Sequence, residues 1–195
     1  MSLSSDGAAS RPPGSRPRRT MIIAAVAVIV VAIISVGFGV LTFNQSRPLP
    51  QATPTLSLLG ETVPMGPATH VTAASALEIT PGQPPAGGPH FAAPLRAGIA
   101  TAPVEDGNAI HSLEHGMIWI SYRADLIAAP DLDTLRAVAQ AHPNDVLLTP
   151  RPQNAGPASV VSWGRRLALA SPIARQTVED FIKTNLNNSP EPGVR

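Results

Sequence analysis

The side chains best suited to chemistry in this chain lie in the segment HSLEH, where His111 and His115 are four positions apart and Glu114 lies between them. On a helix this spacing places both imidazoles on one face. They could then hold one cation through two ring nitrogens at bond lengths of about 2.0–2.1 Å. Glu114 flanks that face and could ligate the cation, orient a histidine or act as a base.

The flanking residues predict a short helix for this motif. Asn108 is a favourable N-cap residue, and Gly116 is the residue type expected just past a helix C-terminus. About two helical turns fit between these two positions. As an alternative to metal binding, His115 could interact with the helix dipole in the last turn, and His111 could be an ordinary surface residue.

Two further histidines extend the candidate metal site. The chain has five histidines, and His70 and His90 lie upstream in segments rich in proline and glycine. Loops of this kind can fold over a helical pair and complete a site. His142 precedes Pro143 at the end of a predicted helix and is interpreted as a capping or solvent-facing residue. The predicted ligands are therefore His70, His90, His111 and His115.

Composition narrows the chemistry. The absence of cysteine excludes disulfides, thiolate metal centres, iron–sulfur clusters and cysteine nucleophiles. No phosphate-binding or dinucleotide-binding glycine motif and no serine nucleophile elbow is present. Clustered imidazoles without thiolate suit Cu(II) or Zn(II), and Ni(II) less well. Met65 and Met117 are alternative soft ligands, although Met117 opens an apolar strand pattern and is better interpreted as core.

An apolar segment predicts a membrane anchor. Residues 21–43 carry no charge, and these 23 residues would form a helix of roughly 34 Å. Four arginines precede the segment, whereas only Arg47 follows closely, so the N-terminus is expected in the cytoplasm and the remainder outside the cell membrane. The length of the segment and the lack of a small-x-small site favour an uncleaved signal-anchor over a signal peptide.

The charge balance of the chain indicates which classes of partner it could bind. Residues 45–195 contain 10 basic and 12 acidic residues, which is unlike the basic surface of a nucleic-acid binder. The expected partners are the lipid bilayer and a membrane or extracytoplasmic protein, with no nucleic acid and no nucleotide.

The expected organisation has five parts. A disordered cytoplasmic tail (1–20), the transmembrane helix (21–43) and a proline-rich linker (44–68) precede an extracytoplasmic domain (69–187), and a disordered tail (188–195) ends the chain.

Residue periodicity predicts an α+β domain with a mostly antiparallel sheet and two or three helices. Strands are expected at 76–80, 116–123, 145–150 and 159–164. One helix is expected at 131–142, and a second is expected to open at Ser171–Pro172. The expected apolar face of the second helix comprises Ile173, Val178, Phe181, Ile182 and Leu186.

Several blocks of the sequence resemble a bacterial membrane-anchored family called domain of unknown function 3105. These blocks read ATHV at 68–71, PPAGGPHF at 84–91, NAIHSLEHGMIWISYR at 108–123, VLLTPRP at 146–152 and VSWGRRL at 161–167. The resemblance implies that the histidines at 70, 90, 111 and 115 form one set. The family usually has a serine where this chain has Gly87, so a hydroxyl role at that position is absent.

Three functions remain open from the sequence. The first is a metal-binding extracytoplasmic module, in which four ligands would make a closed site and three would leave an open position. The second is a zinc hydrolase, because H-x-x-E-H is the inverzincin order with glutamate activating water; a later acidic ligand would then come from Glu179 or Asp180. The third is a structural or interaction domain whose histidines only form hydrogen bonds. An enzyme is the less favoured of these functions.

Overall fold

The computed structural model describes residues 57–194. The predicted transmembrane helix at 21–43 and the predicted cytoplasmic tail lie outside the described residues. A helix long and apolar enough to cross a membrane does not occur between residues 57 and 194.

Within residues 57–194, six strands form one sheet in the order β1-β6-β5-β3-β4-β2. Their bounds are β1 Glu61–Thr62, β2 Gly98–Ile99, β3 Ile118–Tyr122, β4 Val146–Pro150, β5 Ala158–Ser162 and β6 Arg165–Leu169. All residues of β3, β4 and β5 are buried. These three buried strands occupy adjacent positions in the middle of the sheet.

The sheet is mixed, whereas the sequence predicted a mostly antiparallel one. Strand β5 pairs antiparallel with β3 and β6, and β1 pairs antiparallel with β6. Strands β2 and β3 both pair parallel with β4. The parallel pair β3–β4 follows from the helix between them, because two parallel neighbours need a crossover connection rather than a hairpin. The α+β class is confirmed.

Three α-helices accompany the sheet. They are α1 Asp106–Glu114, α2 Ala129–Ala141 and α3 Arg175–Asn185. Alternate residues of β3 point to opposite faces. Ile118 and Ile120 belong to the core that α2 and α3 cover, whereas Trp119 belongs to the core that contains Leu113 of α1. The sheet thus supports α1, the helix of the HSLEH motif, on one face.

Two predicted elements differ in the structure. Residues 76–80 form no strand; a short 3-10 turn covers Ala74–Ala76, and Ile79 is exposed. The Glu78 carboxylate accepts a hydrogen bond from the Gly66 amide. A side-chain hydrogen bond therefore holds this segment, in place of backbone pairing with another strand. Strand β6 was not predicted; it pairs with β5 through a tight turn at Gly164, whose φ is +71°.

The prediction that the last helix opens at Ser171–Pro172 was wrong: helix α3 begins at Arg175. The amide of Ile173 donates to the Asp131 carboxylate at 2.8 Å, so the chain before α3 is tied to α2 instead of starting a helical turn. The predicted apolar face is otherwise present: Val178, Phe181 and Ile182 are buried on it.

The two segments that flank the predicted domain make defined contacts. In the predicted linker, Glu61–Thr62 form β1, and the Leu59 backbone exchanges two hydrogen bonds with the Asn185 amide group. In the predicted C-terminal tail, the Glu191 amide donates to the Glu114 carbonyl and the Gly193 amide donates to the His115 carbonyl, both at 3.1 Å. The C-terminal segment therefore lies against the end of α1.

Candidate metal site

Helix α1 is held at its first turn by a buried ion pair. Its N-cap residue is Glu105; the prediction of Asn108 was wrong, because the Asn108 amide instead donates to the Ala93 carbonyl. Asp106 accepts two hydrogen bonds from Arg151, at 2.9 and 2.8 Å, and Arg151 also donates to Asn154. Such a bidentate pair fixes both the position and the rotation of the helix start.

We expect Arg151→Met to destabilise the domain by about 3 kcal/mol, because the change leaves Asp106 without its partner in a largely buried setting. Urea unfolding of the full chain measures this. Arg136→Met is the matched control, since Arg136 pairs with Asp133 at the surface and should change stability by less than about 0.5 kcal/mol. Equal losses in the two variants would contradict this role for Arg151.

The other end of α1 is set by Gly116, as predicted. Its φ is +88°, in the left-handed region that favours glycine. The Gly116 amide donates to the Leu113 carbonyl at 2.9 Å and the Met117 amide donates to the Ser112 carbonyl at 3.1 Å. This Schellman pattern stops the helix at Glu114, so the motif lies in the last turn.

The four predicted histidines lie close together, with the ring centroids of His111 and His115 4.5 Å apart. The ring centroids of His70, His90 and His111 lie 4.8 to 5.0 Å apart in all three pairs. His70 and His90 come from neighbouring loops that form a parallel bridge: the His90 amide donates to the Thr69 carbonyl and the Val71 amide donates to the His90 carbonyl. The backbone thus delivers two imidazoles next to the one on α1.

The hydrogen bonds of two rings fix which nitrogen is available. His90 Nδ1 contacts the Gly88 carbonyl at 2.9 Å, and His111 Nδ1 contacts the Phe91 carbonyl at 2.7 Å. Because a carbonyl only accepts, both Nδ1 atoms carry the hydrogen, and Nε2 of each neutral ring bears a lone pair. The carbonyls orient each ring as they do for metal-binding histidines.

Nε2 of His90 has the most unusual environment of the atoms at the site. The residue is 1% exposed, and within the described part of the chain this nitrogen has no hydrogen-bond partner, although Oε2 of Glu114 lies 3.0 Å away. Buried polar atoms normally have partners. A buried lone pair that faces a carboxylate is the arrangement that a cation would stabilise.

Glu114 lies within one compact set with three of the histidines, and His115 lies directly beside that set. One ligand atom each from His70, His90, His111 and Glu114 lie within 4.8 Å of one another, and we call this set the inner group. Glu114 also belongs with His115 and Glu191 to a second set at the same spacing, which we call the outer group. A carboxylate thus lies beside three of the four predicted histidines, and the fourth, His115, contacts the set through His111.

His115 contacts the inner group through His111. Their Nε2 atoms are 3.1 Å apart. Since His111 carries its hydrogen on Nδ1, the His115 Nε2–H is the donor in this contact. Burial lowers the pKa of His111, an effect opposed by its bond to the Phe91 carbonyl and reinforced by His115 and His90. His111 is therefore neutral and able to ligate at neutral pH.

A small cavity opens onto the inner group. Its volume is about 160 Å³, and its lining comprises Ala68, His70, His90, His111, Glu114 and Glu191. His70 is exposed and His90 is buried, so the cavity leads from the surface to the unpartnered nitrogen.

The remaining candidates lie elsewhere. Nε2 of His142 donates to Glu179 at 2.7 Å, and Asp180 accepts from Gln176. Glu179 and Asp180 are thus engaged by other side chains and do not supply the acidic ligand that the hydrolase hypothesis required. Met117 is buried in the core, as interpreted from the sequence.

Met65 has a packing role next to the histidine loop. An added Cβ at Gly87 would lie only 2.1 Å from the Met65 sulfur, and the φ of Gly87 is +149°. Met65 therefore occupies the space that a side chain at position 87 would need. The packing of Met65 therefore accounts for a glycine, without a side chain, at position 87.

Glu191 is the site residue that sequence reasoning missed. It lines the cavity, and its Oε2 lies 3.7 Å from Nε2 of His115. The predicted tail contains Pro190 and Pro192 around it, a pattern that predicts extended chain but not its direction. No local signal links Glu191 to α1.

Comparison with known proteins gives one informative match. No curated protein and no solved structure matches the chain significantly. The model of the family described as protein of unknown function (DUF3105) matches residues 70–195, which is more than half of the chain and contains every residue of both groups. The chain belongs to the family of domain of unknown function 3105.

Proposed function

We propose that this protein binds a divalent transition-metal ion through His70, His90, His111 and Glu114. The observation that carries the proposal is the buried His90 Nε2, which has its lone pair free and a carboxylate 3.0 Å away. A cation accounts for this pairing because it attracts both donors at once. A purely structural role for the histidines would instead require a proton between these two atoms, as in a histidine–glutamate ion pair, and would give no metal-dependent change in stability.

The donor spacing suits a small ion after modest closure. Metal–nitrogen bonds of 2.0–2.1 Å place the ligand atoms of a tetrahedral site about 3.4 Å apart. The donors of the inner group already lie within 4.8 Å of one another. His70 is exposed and is therefore the ring most free to adjust, while backbone carbonyls hold His90 and His111.

The chemistry of the donors favours zinc or copper. Three imidazoles and one carboxylate, with no thiolate in the chain, match the preferences of Zn(II) and Cu(II). Glu114 neutralises one of the two positive charges of the ion. With all four donors bound, the site would be closed, which fits structural, storage or delivery roles better than catalysis.

The hydrolase alternative has less support. In the inverzincin order the glutamate activates water, whereas Glu114 here lies in position to ligate. The two hypotheses give opposite expectations for Glu114→Gln: loss of metal affinity if Glu114 ligates, and retention of zinc with loss of hydrolysis if it acts as a base.

The proposed location is the extracytoplasmic side of a cell membrane. The apolar segment 21–43 and the arginines before it support this placement. An ion held there would be exchanged with the extracytoplasmic medium or with an extracytoplasmic protein. Protease treatment of intact and permeabilised cells tests the location; cleavage of the domain only after permeabilisation would contradict it.

The binding test uses the full chain, purified in non-ionic detergent without a histidine tag. We expect tight binding of zinc or copper in equilibrium dialysis and a metal-dependent rise in melting temperature. An ion at about 1,000 times its Kd adds about 4 kcal/mol of stability. His70→Asn and Glu114→Gln should each weaken binding, whereas the matched control His142→Asn should not.

Acidification should release the metal, because protons compete for imidazole nitrogens below their ordinary pKa of about 6.5. Burial lowers the pKa of His111, so protons displace the ion from this ring only at a lower pH than from an ordinary imidazole. The proposed function would be overturned if the melting temperature of metal-free protein at pH 7.5 did not change when zinc or copper is added.

A further inference from the structure

We infer that the outer group, Glu114, His115 and Glu191, is a second and weaker cation site, with Glu114 shared between two adjacent ions. This inference rests on the proposed function of the inner group. The three outer donors lie within 4.8 Å of one another, and one of them, Glu114, also belongs to the inner group. A carboxylate has two oxygens and can bridge two ions, as in two-metal sites whose ions lie about 3.5–4 Å apart.

The last turn of α1 is built to face both groups. His111, Glu114 and His115 stand at positions i, i+3 and i+4, so they are neighbours at one end of the helix. The loops of His70 and His90 approach this end from one side and complete the inner group. The C-terminal segment approaches it as well and supplies Glu191 to the outer group.

The C-terminal segment is fixed in place by its backbone, independently of any ion. The Asn187 amide donates to the Gly116 carbonyl, the Glu191 amide to the Glu114 carbonyl and the Gly193 amide to the His115 carbonyl. Three hydrogen bonds therefore hold this segment along the end of α1. Glu191 is consequently presented to His115 at 3.7 Å even though its side chain is 57% exposed.

The local charge favours a cation. Two carboxylates, Glu114 and Glu191, contribute donors within 4.8 Å of each other at the negative end of the helix dipole. Between residues 57 and 194, no lysine or arginine forms an ion pair with either of them; their ion-pair partners are His90 and His115. The positive charge that this end of the helix lacks must come from protonated histidine or from a bound ion.

The contact between His111 and His115 couples the two sites. In the absence of metal, His115 Nε2–H donates to His111 Nε2. An inner ion bound to His111 Nε2 takes the lone pair that accepts this hydrogen bond. His115 then loses its acceptor; it releases its Nε2 proton to solvent, takes a proton from solvent on Nδ1, and presents the Nε2 lone pair as a ligand beside Glu191. The outer site is thus completed after the inner site is filled.

The outer ion should bind more weakly. One divalent ion already neutralises the two carboxylates, so the second ion enters a cluster with no remaining negative charge. One of its ligands, Glu191, is also exposed and must be ordered. Two separate binding steps are expected.

The test is a zinc titration of the full chain by calorimetry, with bound equivalents counted by equilibrium dialysis. Wild type should show two steps and two equivalents. Glu191→Gln should weaken the second step at least about tenfold and leave the first within about twofold. Glu105→Gln is the matched control, because it makes the same change at an exposed residue at the opposite end of α1.

Copper loading tests whether the two ions are adjacent. Two equivalents of Cu(II) in wild type should give electron paramagnetic resonance spectra broadened by mutual coupling, and Glu191→Gln should give the spectrum of an isolated ion. A single tight equivalent that Glu191→Gln does not alter would overturn the outer site and leave the proposed function standing. Two uncoupled ions would also overturn it, whereas the absence of any binding would overturn both.

Discussion

His90→Asn should lower the affinity for zinc or copper by about 100-fold or more. The magnitude follows from dividing the roughly 10–16 kcal/mol of a structural zinc site among four ligands, which assigns about 3 kcal/mol to each. The amide of asparagine can replace Nδ1 as the donor to the Gly88 carbonyl, so this substitution removes Nε2 while it can keep the loop anchored. Calorimetric titration of the full chain measures the loss.

The same substitution should have a different effect in chelator-treated protein. In the metal-free state Nε2 of His90 faces Oε2 of Glu114 at 3.0 Å, so its removal costs the packing of the ring and this single contact. Metal-dependent stabilisation should disappear, while the metal-free melting temperature should fall much less. The exposed His70 provides a second test that folding does not complicate, since His70→Asn should weaken binding in a chain of wild-type stability. Tight binding in both variants would rule out the inner group.

Gly116→Ala should destabilise the domain by about 2–4 kcal/mol. The φ of +88° alone costs an L-residue about 1–2 kcal/mol. An added Cβ would also lie 2.8 Å from the Asn187 Cα and 2.7 Å from its Oδ1, so the backbone of the C-terminal segment must move. Chemical unfolding of the full chain measures the destabilisation.

The control for this substitution is Gly156→Ala, where an added Cβ meets nothing within 4 Å. We expect a change within about 0.5 kcal/mol at that exposed position. Displacement of the C-terminal segment also moves Glu191, so Gly116→Ala should weaken the second zinc-binding step more than the first. Wild-type stability in Gly116→Ala would show that this segment does not pack on α1 as described.

The sequence predicted a strand or helix correctly wherever a single segment carried enough apolar residues to show which of its positions are buried. Strands β3, β4 and β5 and helix α2 lie where the residue pattern placed them, within a few residues. The expected strand at 76–80 failed, because its alternating pattern is short and no partner strand lies beside it. The parallel pairing of β3 and β4 was missed, because periodicity identifies a strand but not its neighbour.

The end of α1 was readable because capping is local. The Gly116 amide donates to the carbonyl three positions earlier and the Met117 amide donates to the carbonyl five positions earlier, so spacing within the motif was sufficient. The start of α1 was misplaced, because Asn108 uses its side chain on the Ala93 carbonyl of another segment. A long-range partner overrode a good local N-cap candidate.

The sequence by itself determined the kind of chemistry: imidazole and carboxylate donors, no thiolate, and three potential ligands within one helical turn. Side-chain type and helical spacing are local properties, and they are sufficient for that conclusion. Only the tertiary structure decided that Glu114 lies together with His70 and His90, and that Glu191 lies beside His115. Two loops and a C-terminal segment reach the same end of the helix. Long-range backbone hydrogen bonds set their directions of approach, and no local pattern of residues encodes those directions.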